Sequence, residues 1–189
     1  MTELPDLTGA FAAAGLIDVA YAIEQTPVGR LLLAATPRGL VRVAYLDADD
    51  DEDRALAALA ERISPRVLAA PARLDAPRRE LDEFFAGRRR SFETPLDWRM
   101  TQAGFAQRVL RATNRIPFGE TASYMQVAGR AGSPRAYRAA GNALGANPLP
   151  IVVPCHRVLH AGGRIGGYTG GLDRKRALLA LEGIPAGET

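Results

Sequence analysis

Apolar and polar positions alternate in short runs near the start of the chain and recur at helical spacing over most of the rest. Residues 19–25, 30–35 and 40–46 are β-prone runs. Thr26-Pro27-Val28-Gly29 and Thr36-Pro37-Arg38-Gly39 separate them, with proline presetting φ and glycine accepting a positive φ. This pattern predicts an antiparallel meander. Residues 54–63 then place Leu56, Leu59 and Ile63 at helical spacing, and Pro77 opens a second helix that runs to Phe85. Gly87 and the triplet Arg88, Arg89, Arg90 follow as a solvated edge, and Thr94-Pro95-Leu96 makes a linker.

Beyond the linker, helices with short loops dominate. Residues 105–114 put Phe105, Val109 and Leu110 on one face and stop at Ile116-Pro117, and another helix covers about 123–128. Gly129-Arg130-Ala131-Gly132 is a tight turn leading to Ser133-Pro134, where serine can cap and proline can take the first position of a helix over 134–144. The pair has the spacing of a helix-turn-helix. Its second helix carries Ala136, Ala139, Ala140, Gly141 and Ala143, small side chains that suit either tight helix packing or a nucleic-acid groove. Arg135, Arg138 and Asn142, three and four residues apart, add a polar stripe that favours the groove. A last helix is expected after Asp173, a candidate cap, with Leu178, Leu179 and Leu181 apolar and Gly183 and Pro185 ending it. The predicted fold class is α+β, with an N-terminal α/β domain with an antiparallel sheet over 1–95 and a mostly helical helix-turn-helix domain over 96–189.

Composition narrows the functions available. A chain of 189 residues can bury a substantial core without an exotic stabiliser. One cysteine forms no internal disulfide, and with only His156 and His160 beside it a closed Cys/His zinc site is out of reach. This suggests a reducing compartment. The apolar stretch 9–17 has no basic segment before it and is too short to span a bilayer, so a cytoplasmic protein is expected. The run 47–53 is acidic at six of seven positions but lacks the glycine and terminal glutamate of a calcium loop, so it reads as a helix start. Charge is uneven: residues 1–95 carry 12 Lys+Arg against 16 Asp+Glu, and residues 96–189 carry 12 against 5. The net +3 thus divides into −4 and +7. A basic half attracts polyanions; the alternative is a merely solvated surface, and with 23 arginines among 24 basic residues the base composition of the gene is a further source of the high pI.

The chemistry gathers after residue 146. In Asn147-Pro148-Leu149-Pro150-Ile151-Val152-Val153-Pro154-Cys155-His156-Arg157-Val158, three prolines stiffen the chain up to the cysteine. A lone cysteine is commonly a small buried hydrophobe. Here a histidine and an arginine follow at once, and either can favour the nucleophilic thiolate if it faces the sulfur. Glycine pairs at 162–163, 166–167 and 170–171 form a loop that is either a flexible hairpin or a surface whose backbone N–H groups approach a ligand unhindered. It matches neither the phosphate-loop nor the dinucleotide pattern. Glu182 ends the last helix, where the dipole disfavours an anion, so it requires compensation, and a histidine is a natural partner.

Pro154-Cys155-His156-Arg157-Val158 resembles the active-site signature of the O6-alkylguanine-DNA alkyltransferase family. The likeness extends, in the family's order, to Ile116-Pro117-Phe118-Gly119-Glu120, Ser123-Tyr124, Arg138-Ala139-Ala140-Gly141, Asn147-Pro148, Tyr168-Thr169-Gly170-Gly171 and Glu182-Gly183. It implies a ribonuclease H-like N-terminal domain and a winged-helix-like C-terminal one. It makes Cys155 the alkyl acceptor, His156 the base acting through a water, and Glu182 the carboxylate orienting the imidazole, a triad applied to sulfur. Asn147 would join the recognition helix to the active-site segment, and Tyr124 would donate a hydrogen bond to the departing purine. The Thr169 N–H would hold the alkylated oxygen, and Pro150, the Val158 backbone, Tyr168 and Gly170 would line the pocket. Arg138 would fill the gap left by a flipped nucleotide. Arg135, Ser123, Ala139 and Gly141 would contact duplex DNA carrying alkylated guanine along its minor groove. The resemblance implies a single-turnover transfer with no cofactor, no metal and no obligate protein partner.

Two departures qualify it. Arg138-Ala139-Ala140-Gly141 stands where the family usually has Arg-Ala-Val-Gly, and it is preceded by the bulky Tyr137. Relatives that bind the lesion without repairing it lack the acceptor cysteine, so Cys155 argues for activity. Two other classes explain part of the pattern. A helix-turn-helix regulator leaves the cysteine segment and Glu182 without purpose, and a cysteine hydrolase lacks an evident oxyanion-hole motif.

Overall fold

The computed structural model describes residues 17–185, and the apolar stretch 9–17 lies outside them except for Ile17. The chain divides into two compact units. One runs up to Glu80 and includes Thr94–Met100; the other comprises Leu81–Glu93 and everything from Thr101 onward.

In the first unit β1 (Val19–Thr26), β2 (Gly29–Thr36) and β3 (Gly39–Tyr45) form the expected antiparallel meander. Gly29 and Gly39 close its two hairpins at φ 103° and 132°. Gly39 has a second constraint, because a Cβ there would collide with the Pro95 carbonyl. The sheet continues beyond the meander. A three-residue strand, β4 (Val67–Ala69), pairs parallel to β1, giving the order β3-β2-β1-β4. Its short, half-exposed run has no alternation, which is why the pattern did not reveal it. Helix α1 (Asp51–Arg62) starts three residues before the expected Arg54. The acidic run is the reason: Asp51 accepts the backbone N–H groups of Ala48 at 2.7 Å and Asp47 at 2.8 Å, and these bonds, with one from the Arg54 guanidinium, hold its carboxyl down at about 2. Its Leu59 and Ala55 pack on Leu32, Ala34 and Val41 of the sheet. Each fully buried leucine there is worth about 1.5–3 kcal/mol over an exposed one.

Helix α2 (Asp75–Phe85) begins two residues before Pro77, which therefore sits in the first turn, where a missing N–H costs no intrahelical bond.

The second unit holds α3 (Phe105–Thr113), β5 (Ala122–Ser123), α4 (Tyr124–Arg130), α5 (Tyr137–Gly145), β6 (Val158–Leu159) and α6 (Leu172–Leu181). The helix pair α4 and α5 has the expected helix-turn-helix arrangement, but its details differ. Ser123 caps α4 in a reciprocal capping box with Gln126. Ser133 is no cap: Ala136 N–H donates to its backbone carbonyl at 2.9 Å, so Pro134 and Arg135 form a separate turn and α5 starts at Tyr137. Arg135 thus stands outside the helix that carries Arg138 and Asn142. Likewise Asp173 lies within the first turn of α6, and Gly171, at φ 86°, precedes that helix. At the start of the glycine-rich segment, the His160 N–H donates to the Arg164 carbonyl at 2.9 Å and the Gly163 N–H to the His160 carbonyl at 3.1 Å, closing a tight turn, while β6 before it pairs in parallel with β5. Among the described residues, no helix is long and apolar enough to cross a membrane.

Candidate active site

The segment between α5 and β6 holds Cys155 in place through Asn147. The Asn147 amide donates to the Val153 carbonyl at 2.9 Å and to Cys155 Sγ at 3.2 Å, while its Oδ1 accepts the Leu149 N–H at 3.0 Å. One buried side chain thus ties both ends of the proline-rich turn to the sulfur. The turn is strained: Ile151, β-branched and fully buried, sits at φ 73°. Such a conformation costs on the order of 1–3 kcal/mol and persists only because packing and hydrogen bonds overdetermine it. Cys155 is buried, and burial pushes its thiol up to about 11 against the Asn147 hydrogen bond and the charge of Lys175.

Behind the cysteine lies a buried ionic cluster. His156 Nε2 is 2.8 Å from Glu182 Oε1, and both side chains are fully buried. With Nε2 donating to the carboxylate, Nδ1 carries the lone pair; it is buried and has no hydrogen-bond partner. Arg157 engages the same carboxylate through Nε and a terminal nitrogen at 2.9–3.1 Å, and its other terminal nitrogen donates to the Ile116 carbonyl. The Gly119 N–H adds a 3.1 Å bond to Glu182 Oε2. Burial alone would raise Glu182, but the bonds from His156 and Arg157 prevail and hold it below the usual carboxylate range. Burial lowers His156 by more than Glu182 raises it, which keeps the imidazole neutral at pH 7.

Lys175, the one lysine of the chain, is fully buried in α6. Its Nζ donates to the carbonyls of Val158 at 2.7 Å, Gly166 at 3.1 Å and Gly167 at 3.4 Å. Burial lowers it to about 8, and Cys155 opposes that shift. A cation is thereby held near the sulfur while it anchors the glycine-rich loop.

A pocket of about 660 Å³ opens above this centre. Cys155, Tyr124, Arg138, Gly141, Tyr168 and Thr169 are among its lining residues. Burial raises the Tyr124 hydroxyl, and Cys155 adds to the shift. The Tyr124 ring packs 5.1 Å from His160, and a Cβ at Gly166 would collide with the Tyr124 hydroxyl and come within 3.0 Å of His160 Nε2. Thr169 donates its hydroxyl to the Gly145 carbonyl at 2.9 Å, joining the loop to the end of α5. A deprotonatable sulfur, a neutral base with a carboxylate behind it and a phenol facing the same pocket suit transfer of a group to sulfur.

Family models match almost all of the described chain. The 6-O-methylguanine DNA methyltransferase DNA binding domain covers residues 104–184, and the ribonuclease-like domain of the same description covers residues 19–98. The chain belongs to the 6-O-methylguanine DNA methyltransferase family. The methylated-DNA--protein-cysteine methyltransferase of Mycolicibacterium paratuberculosis is 40% identical over 87% of this chain and 92% of its own. The O6-methylguanine methyltransferase of Mycobacterium tuberculosis superposes with a TM-score of 0.73 at 38% identity, over 87% of this chain and 92% of that one. The Mycobacterium tuberculosis OGT solved in complex with DNA gives 0.73 at 37% identity, covering 86% and 92%.

Within this family fold, Asn147 bonds Cys155 and Glu182 bonds the neighbouring His156, two hydrogen-bonded pairs at consecutive residues, and Tyr124, Arg138, Gly141, Tyr168, Thr169 and Ser123 line the pocket above. Other residues are placed differently. Pro150, Val158 and Gly170 are buried and are not among the lining residues, and the Val158 carbonyl is taken by Lys175. Ala139 on α5 and Arg135 on the turn before it, expected as DNA contacts rather than pocket residues, are both exposed on the surface. Sequence reasoning offered Arg157 as a partner of the thiolate, whereas it binds Glu182, and Gly119 and Lys175 were not foreseen as parts of the centre. Arg157 lies inside the signature at residues 154–158, and the sequence signal for Lys175 is that it is the one lysine in an arginine-rich chain. Among the described residues, no group of three or more His, Cys, Asp or Glu could hold a metal.

Proposed function

We propose that this protein reverses alkylation of DNA by moving an alkyl group from O6-alkylguanine, with O4-alkylthymine as a second candidate substrate, onto Cys155. The observation that carries this reading is a buried thiol at a pocket floor, bonded to Asn147 and backed by the His156–Glu182 pair.

His156, neutral and with Nδ1 free to accept, takes the thiol proton through a bridging water. Glu182 stabilises the imidazolium so formed, and the Asn147 amide and Lys175 stabilise the thiolate. Sulfur attacks the alkyl carbon, an S–C bond forms and the C–O bond breaks, and the electron pair leaves with guanine. Tyr124 donates to the purine as that charge develops, the Thr169 N–H holds the oxygen, and the proton ends on guanine. The product is a thioether, which gives water no carbonyl to attack, so each chain acts once.

The thiol lies buried, and a base stacked within a duplex cannot reach it. The nucleotide therefore turns out into the pocket, with Arg138 filling the gap. The α4–α5 pair lies along the minor groove, where side chains read little sequence, as suits lesions at arbitrary positions. The DNA-binding and acceptor functions then belong to residues 96–189, the N-terminal part to 1–95, and the protein works in the cytoplasm without a cofactor.

Intact mass after incubation with duplex DNA containing O6-methylguanine tests the reading. One methyl transfer per chain, located on Cys155 and never repeated, is expected; Cys155→Ser should abolish it while leaving DNA affinity near that of the original, since a hydroxyl stays protonated and is a far weaker nucleophile. Continued turnover by unmodified protein would sink the single-use mechanism.

A further inference from the structure

Tyr137 stands out on the surface of the second unit. It is the first residue of α5, is 43% exposed, and lines the pocket over Cys155 together with Arg138. A large aromatic left this open on a surface is informative, because its burial elsewhere in the chain would be favourable. The Arg138 guanidinium carbon lies 5.7 Å from the centroid of the Tyr137 ring, within cation–π range. Consecutive residues on a helix point about 100° apart and do not normally face each other, so the two side chains must fold toward one another to make this contact.

We propose that Tyr137 is a positioning residue for nucleotide extrusion: its ring holds the Arg138 guanidinium at the pocket mouth in the posture from which it enters the gap in the duplex. The inference rests on the reading of Arg138 given above and deepens it. An exposed arginine samples many rotamers, and ordering that side chain opposes its insertion. A ring against the guanidinium narrows the set before DNA arrives, and the planar cation keeps its donors for the orphaned base while one face remains on the tyrosine. The hydroxyl has no part in this, so phenylalanine should serve equally well.

The test is a double-mutant cycle on Tyr137→Ala and Arg138→Ala, with Tyr137→Phe as the conservative control. Three readings are taken for each protein: alkylation rate on duplex DNA containing O6-methylguanine, alkylation rate on free O6-benzylguanine, and fluorescence of 2-aminopurine placed beside the lesion, which reports extrusion without requiring chemistry. Tyr137→Ala should slow duplex repair about fivefold, equivalent to about 1 kcal/mol, and lower the 2-aminopurine signal. Because Tyr137 also lines the pocket, the free-base rate should fall by clearly less than the duplex rate, and an unchanged thermal denaturation midpoint should show that the variant is folded. Tyr137→Phe should match the original, and Tyr137→Ala should add no further loss in the Arg138→Ala background. An unchanged duplex rate, an equal loss on free base, or a full independent loss without Arg138 would each overturn the proposal. If Arg138→Ala impairs duplex repair and Tyr137→Ala does not, only the role of Tyr137 falls. If Arg138→Ala is itself harmless on duplex DNA, the gap-filling reading falls and this inference with it.

Discussion

Glu182 ends α6 with its carboxylate where the helix dipole opposes a negative charge, and His156, Arg157 and the Gly119 N–H together supply the compensation. The need for a partner was legible in the sequence, because an anion in a last turn is unfavourable by itself. The histidine could be guessed; the arginine, 25 residues away along the chain, could not be placed before the fold was known. Glu182→Gln removes the charge that balances a buried guanidinium, and breaking such a pair costs about 3–5 kcal/mol. Urea denaturation should show that loss, and alkylation of free O6-benzylguanine should slow as well, since the imidazolium loses its counter-charge. The same groups set a pH dependence. Both folded values lie below the ordinary ones, of 6.5 for His156 and 4.5 for Glu182, so both contributions are present above those values and are lost as pH falls. Stability should therefore decline in two stages, first below 6.5 as the unfolded chain takes up a proton on histidine, then below 4.5 as it does so on glutamate. A flat denaturation midpoint from pH 7 to pH 4 would contradict this account.

Among the elements, the glycine-rich loop between β6 and α6 shows how far composition alone carries. Its repeated pairs marked a backbone free to approach something, without saying what. Lys175 anchors it from α6 through two of its carbonyls and ties it to Val158 of β6, Thr169 joins it to Gly145, and Gly166 leaves room for the Tyr124 hydroxyl. Gly166→Ala should displace that phenol. Because misplacing a reacting group by about 1 Å can cost roughly a hundredfold, alkylation should slow by about 10- to 100-fold on free base and duplex alike. A loss confined to duplex DNA would place the defect in binding rather than in the pocket. Helix starts show the opposite limit. Ser133-Pro134 and Asp173 both have the composition of a helix start, yet α5 begins at Tyr137 and α6 follows Gly171. Local propensity permits several starting points within a turn of one another, and the packing of the helix decides among them.

For the molecule as a whole, the second half carries 12 basic residues against 5 acidic, an excess that attracts a polyanion irrespective of base sequence. Binding to undamaged duplex should weaken steeply with salt: for about four phosphate contacts, raising salt fourfold costs roughly a hundredfold in affinity. A salt-independent Kd measured by anisotropy would remove charge as the basis of binding. Periodicity, turn chemistry and charge by themselves determined the meander, the helix pair and the basic half, because each depends on neighbours within a few residues. The sequence also marked Cys155 and Glu182 as chemically distinctive. Only the tertiary structure decided that β4 joins the sheet in parallel, that Arg157 and Lys175 belong to the centre, and that Asn147 bonds the sulfur. Burial is the physical reason: the value of a charge or a donor depends on which groups are removed from water beside it, and those groups come from parts of the chain that local pattern does not connect.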